Sequence, residues 1–188
     1  MQGYDYGQPG AYFVTIVTTN RECLFGRIVN GGMQLSDCGR IAEQCWLEIP
    51  VHFPHVSLDE FVIMPNHVHG IIVINEMDNN MVVETRHAVS LQLLQSLQPL
   101  RQSDIAQNHP IERFGKPRRG TLSTIIRSYK SAVTKQINEM RKTKGLTIWQ
   151  SRYHDRVIRE DEGLNRIRQY IYENPLKWAM DDENPDKL

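Results

Sequence analysis

The chain reads as an α+β sandwich, a central antiparallel sheet with helices packed mainly on one face. Three observations predict it. Apolar runs that alternate faces come in consecutive pairs with turn residues between them, the pattern of antiparallel hairpins. Between those pairs, two segments repeat apolar residues at helical spacing instead. The 188 residues contain no internal repeat and no second apolar core set apart by a linker, so one domain spanning 1–188 is expected.

Residues 11–19, rich in β-branched and aromatic side chains, form the first strand. A turn at Asn20-Arg21-Glu22 leads to a second strand over 24–29, and Met33-Gln34-Leu35 is extended. Ser36 or Asp37 then caps a helix reaching about Glu48, with Ile41, Cys45, Trp46 and Leu47 as its apolar face and Pro50 and Pro54 closing it. Next comes the most apolar stretch, 61–74, in which Met64-Pro65-Asn66 reads as the turn of a hairpin, Asn66 tolerating a left-handed conformation. Residues 76–119 form a long polar loop, with a short helix over 88–100. From Thr121 or Ser123 to about Lys142 a helix carries the stripe Leu122, Ile125, Ile126, Tyr129, Val133 and Ile137. Strands over 146–150 and 155–159 precede a last helix that starts at Glu160-Asp161-Glu162, buries Leu164, Ile167 and Ile171, and stops at Pro175. This order suits a ferredoxin-like or RRM-like sandwich, followed by a short acidic tail.

Composition excludes several classes. No apolar run reaches the length of a membrane span, and the N-terminus lacks the basic and apolar regions of a signal peptide. Cys23, Cys38 and Cys45 are odd in number and form no C-x-x-C pair, so reduced thiols and a cytoplasmic location are expected. The net charge of zero hides an asymmetry: residues 113–152 hold 11 Lys and Arg against Glu139 alone. Such an excess is the footprint of a phosphate-backbone binder, with Arg127, Lys130 and Lys135 off the apolar stripe and available to phosphates, and Arg118 and Arg119 just before that helix as further backbone contacts. A solvated basic helix would look the same.

The residues that carry chemistry lie in the hairpin. Strand alternation puts His67 and His69 on one side, about 7 Å apart along the chain, with Val68 towards the core. Two imidazoles on one face can hold a divalent metal. Alone, the pair reads more readily as polar residues on a half-exposed strand. Tyr170 and Asn174 share one face of the last helix by their i, i+4 spacing, and Tyr172 lies opposite. Asn174 could equally cap the helix before Pro175, and Tyr170 could pack at a boundary. A phenol with an ordinary pKa of about 10 needs a metal or base beside it to act as a nucleophile.

Asn66-His67-Val68-His69-Gly70 in an apolar hairpin, followed much later by Tyr170-Ile171-Tyr172-Glu173-Asn174-Pro175, resembles the HUH (His-hydrophobe-His) single-strand DNA nucleases. Within them the chain is most similar to the REP-associated tyrosine transposases, a branch of the single-tyrosine insertion-sequence group. Tyr12-Phe13-Val14-Thr15, Ile126-Arg127-Ser128-Tyr129-Lys130-Ser131 and Trp149-Gln150-Ser151-Arg152-Tyr153-His154-Asp155 add to the resemblance, which covers most of residues 11–178. The resemblance implies a site in which His67, His69 and Asn174 bind Mg²⁺ or Mn²⁺ and Tyr170 attacks a DNA phosphate. It implies a 5′-phosphotyrosine link with a free 3′-hydroxyl, a hairpin-forming single-stranded DNA partner, and a monomer rather than a helix-swapped dimer. His154 is a possible supporting residue, and Tyr129 and Tyr153 are competing tyrosines, Tyr129 favouring the core. Trp149 is a core residue or a base-stacking platform. The histidine-triad hydrolases also use alternating histidines, but their third histidine falls at Ile71. A domesticated DNA-binding protein that has lost turnover is the other alternative.

Overall fold

The computed structural model describes residues 8–76 and 120–187. Strands β1 (Gly10–Val17), β4 (Val56–Ile63), β5 (His67–Ile74) and β6 (His154–Ile158) form an antiparallel sheet in the order β4-β5-β1-β6. Strands β2 (Gly26–Val29) and β3 (Gly32–Leu35) pair separately around Asn30 and Gly31, whose φ angles of 51° and 75° suit a tight hairpin turn. Setting that hairpin aside, the core runs βαββαβ with its first strand between the third and fourth, which is the expected ferredoxin-like arrangement.

Helices α1 (Asp37–Leu47) and α3 (Leu122–Met140) pack on each other and on one face of the sheet. The Ser36 hydroxyl caps α1 by accepting from the Gly39 N–H, and Thr121 caps α3 through the Thr124 N–H. All six stripe residues of α3 are buried. From the sheet, Tyr12, Val14, Ile16, Val68 and Ile72 meet them, each with no exposed surface. Gly70 lies in the same layer: a Cβ there would come within 2.3 Å of the Trp46 ring. Strand alternation then sends His67, His69 and Ile71 to the other face, where helix α4 (Asp161–Glu173) lies against β4 and β6. Arg168 on α4 fixes it there, donating from Nε and Nη2 to both carboxylate oxygens of Asp59 on β4 at 2.8 and 2.6 Å.

Several expectations need correction. The buried face of α1 is Cys38, Ala42, Cys45 and Trp46, whereas Ile41 is only partly buried and Leu47 is 50% exposed. Pro50 does not close that helix but sits near the start of a separate turn, α2 (Ile49–His52). Residues 146–150 do not form a strand; Trp149 makes a single bridge to Thr18. On α4 only Ile171 is fully buried, with Leu164 and Ile167 half-covered. Except for Glu76, the long loop and the helix expected at 88–100 lie outside the described residues. No helix among the described residues is long and apolar enough to cross a membrane. All three cysteines are free thiols, Cys23 exposed and the other two buried.

Candidate active site

The two histidines are buried, His67 with no exposed surface and His69 with 4%, so the half-exposed strand is excluded. Their ring centroids are 4.4 Å apart. Each ring is held through Nδ1. His67 Nδ1 lies 2.9 Å from Asn66 Oδ1, and His69 Nδ1 lies 2.9 Å from Thr15 Oγ1, its direct cross-strand neighbour. Asn66 does not take the left-handed conformation expected of a turn asparagine. Its side chain is instead a junction, fully buried, with Nδ2 donating to the carbonyls of Arg21 at 3.0 Å and Glu183 at 2.6 Å. Because Nδ2 is occupied in this way, Oδ1 faces His67 and can only accept. His67 therefore carries its proton on Nδ1 and presents a bare Nε2 lone pair.

That lone pair is buried and has no hydrogen-bond partner, and the same holds for Asn174 Oδ1. Native interiors leave few such atoms, and a ligand site is one reason to keep them. The oxygen of Tyr170 approaches from α4 to 3.3 Å from His69 Nε2, and its ring packs edge-on to His69 and Phe13. Tyr170 is 43% exposed and reaches the open cleft of about 390 Å³ that Thr15, His69, His154 and Asn174 also line. Tyr172 is 75% exposed and points elsewhere. The i, i+4 argument thus brings Tyr170 and Asn174 to the histidine pair.

The segment after α4 closes one side of the cleft and supplies a carboxylate the sequence did not single out. The ligating atoms of His67, His69 and Asp181 all lie within 4.8 Å of one another. Trp178 covers His67, ring centroids 6.0 Å apart. Two neutral nitrogens, a carboxylate and an orphaned amide oxygen make a donor set that fits a divalent cation.

Electrostatics favour the same use. Burial pushes the His67 pKa down to about 3, and burial, then the neighbouring His67, pushes His69 well below the ordinary value against the pull of Asp181. Both rings are therefore neutral near pH 7, as ligation requires. Burial also raises the Tyr170 hydroxyl, helped by Asp181 and opposed by a hydrogen bond from Asn174. A phenolate there needs added positive charge.

The depressed histidine values carry a stability consequence. Between about pH 6.5 and 3 the unfolded chain binds protons that folded His67 does not, so stability is full above pH 6.5 and falls as pH drops. Urea unfolding in the presence of a chelator is expected to lose a few kcal/mol between pH 7 and 4, and less in His67→Gln. An equal loss in both proteins would contradict the neutral buried pair.

The basic residues lie apart from this cleft. Arg127, Lys130 and Lys135 line a second groove of about 720 Å³ along α3, with Trp149 and Tyr153 on its far side. Arg127 and Lys135 are exposed, Lys135 with Glu139 at 4.0 Å. The Lys130 ammonium is turned inward and donates to the carbonyls of Gln150, Ser151 and Arg152 at 2.7, 3.3 and 3.4 Å. Trp149 is a core residue, 5% exposed and packed on Phe25 and Tyr129. Tyr129 is buried, its hydroxyl donating to the Ala42 carbonyl at 3.2 Å. Arg118 and Arg119 lie outside the described residues. His154 is exposed on the cleft rim, directly opposite Thr15 on β1.

The sequence reading missed Thr15, Asn66 and Asp181. Thr15 could have been found by placing it on the face opposite the apolar Val14 and Ile16. Asn66 was hidden by its turn-forming role, and Asp181 by its place in an acidic tail.

Comparison with known proteins adds one relative and one structure of similar fold. An uncharacterized protein of Haemophilus influenzae is 38% identical over 181 residues, 96% of this chain and 88% of its own. A solved structure of a REP-associated tyrosine transposase bound to a REP hairpin has a similar fold, with a TM-score of 0.54 and 18% identity. That likeness covers 95% of this chain and 74% of the transposase chain. No protein-family model matches.

Proposed function

The chain belongs to the family of that Haemophilus influenzae protein, and we propose that it is a transposase-like enzyme that cleaves and rejoins single-stranded DNA through Tyr170. One observation carries the proposal. A half-exposed tyrosine hydroxyl stands 3.3 Å from a buried histidine, whose neighbour on the strand presents an unpartnered lone pair. The shared fold with a tyrosine transposase supports the reaction class, and the hairpin bound to that transposase supports a hairpin-bearing strand as substrate.

In this reading His67 and His69 hold a divalent ion, Mg²⁺ or Mn²⁺, with an oxygen ligand from Asn174 or the tail. When bound, such an ion offsets the charge that builds on the scissile phosphate. The Tyr170 oxygen forms a bond to phosphorus while the bond from phosphorus to the 3′-oxygen breaks. The phenolic proton is released and the 3′-oxygen takes one up, leaving a 5′-phosphotyrosine and a 3′-hydroxyl. The ester conserves the bond energy, so the 3′-hydroxyl can reverse the step without ATP. Asn174 lines the cleft one helical turn from Tyr170, Thr15 and Asn66 fix the imidazoles, and His154 lies at hand on the rim. Arg127 and Lys135, with Arg118 and Arg119, contact the DNA backbone, while Lys130 shapes the groove by holding the 150–152 loop. Because Tyr170 reaches the histidines of its own chain, a monomer contains a complete site.

Incubation with hairpin-bearing single strands and Mg²⁺ or Mn²⁺, followed by a denaturing gel, is expected to show a shifted protein–DNA band. Binding without any such band, across strands and metals, would leave a DNA-binding protein without turnover. Asn66→Ala removes the oxygen that fixes the His67 ring and should weaken Mn²⁺ binding roughly ten- to a hundredfold. Titration followed by electron paramagnetic resonance reads this, and an unchanged affinity would show that the Nδ1 partner does not matter.

A further inference from the structure

We propose that Asp181 is the carboxylate ligand of this centre, so that metal binding fastens the segment after α4 across the cleft. The inference rests on the metal-site reading above and names a ligand that the motif His67, His69, Asn174 does not contain.

The first support is position. Asp181, His67 and His69 bring one ligating atom each to within 4.8 Å of the others, against about 3.0 Å between adjacent and about 4.2 Å between opposite ligands of an octahedral ion at about 2.1 Å. Binding of an ion would draw these side chains inward to close the set. The bare, buried Nε2 of His67 is available to it.

The second support is the way the segment is held. One Asp181 carboxylate oxygen accepts from the Glu183 N–H at 2.7 Å, which fixes the side chain in a local turn and leaves the other oxygen for a ligand. The Glu183 carboxylate accepts from Arg21 Nε at 2.8 Å, and its carbonyl accepts from Asn66. Asn66 therefore joins the His67 ring and the tail through one amide, so ligand and carboxylate are set by the same side chain.

Ligand chemistry is the third. A charged carboxylate is a stronger donor to a hard divalent ion than a neutral amide oxygen. Asp181 then carries the charge that holds the ion, and the unpartnered Asn174 oxygen is a weaker, neutral donor. A cleft with neutral histidines and a free carboxylate would repel a phosphate, and a bound cation reverses that sign.

The test is Mn²⁺ binding to the full chain, measured by electron paramagnetic resonance, with amide hydrogen exchange over residues 178–186 read alongside. Asp181→Asn is nearly isosteric and keeps the oxygen that accepts from Glu183. It should weaken Mn²⁺ binding tenfold or more and abolish the metal-induced protection of the tail. Asp182→Asn removes the same charge one residue on, from a side chain 95% exposed and paired with Lys187, and should change affinity less than twofold. His67→Ala should remove binding. Unchanged affinity in Asp181→Asn with binding lost in His67→Ala would overturn the role of Asp181 and leave the centre standing. Unchanged affinity in both would overturn the centre itself, and with it this inference.

Discussion

Replacing Tyr170 by phenylalanine is expected to abolish the covalent protein–DNA adduct, by about a thousandfold or more, while Mn²⁺ and DNA binding persist. The change deletes one oxygen. The ring keeps its edge contacts with His69 and Phe13, so α4 stays docked through Ile171 and the Arg168–Asp59 pair. No other described tyrosine can substitute from its present place. Tyr12 and Tyr129 are sealed in the core with their hydroxyls on the Gln8 and Ala42 carbonyls, Tyr172 points to solvent, and Tyr153 borders the second groove. Adduct formation by the phenylalanine variant at the level of the unmodified protein would remove Tyr170 from the chemistry.

Gly70→Val is expected to destabilise the fold by about 3 kcal/mol or more, the upper part of the range for overpacked cores. The first added carbon would stand 2.3 Å from Trp46 Cζ2 and 2.8 Å from Cη2. The indole cannot give way easily, because it has no exposed surface and packs between Phe61 and Tyr129. The position is one residue from His69, so displacement of β5 would also misplace the imidazole. Urea unfolding monitored by tryptophan fluorescence reads the loss, and a midpoint within experimental error of the unmodified protein would contradict the close approach of strand and helix. The glycine of the Asn-His-Val-His-Gly motif thus serves packing on one face of the strand while the histidines serve the other.

The strand, helix and hairpin pattern was legible because burial on one face imposes its period on the sequence. Helix α3 shows this best: all six stripe residues chosen by spacing are buried. The histidines and the Tyr170-Asn174 pair were legible for the same reason, since strand alternation and helical spacing fix which side chains share a face. What escaped was fixed by tertiary contact alone. Asp181 approaches the histidines only because Glu183 is tied to Arg21 and Asn66, links of 162 and 117 residues that no local pattern records. Lys130 looked like its basic neighbours, yet three carbonyls of a distant loop capture its ammonium. The failed strand at 146–150 has a similar cause. Its β-rich composition comes from Ile148 and Trp149, which bury themselves beside α3 without a continuous partner strand.

The most direct measurement is peptide mapping of the protein–DNA adduct. The protein is incubated with a hairpin-bearing single strand and Mn²⁺, digested, and the nucleotide-bearing peptide sequenced by mass spectrometry. A phosphodiester on Tyr170, lost when a chelator is present or when His67 is alanine, is the predicted result. A modification on any other residue, or one that forms equally well without the metal and without His67, would contradict a reaction carried out by Tyr170 at the histidine pair.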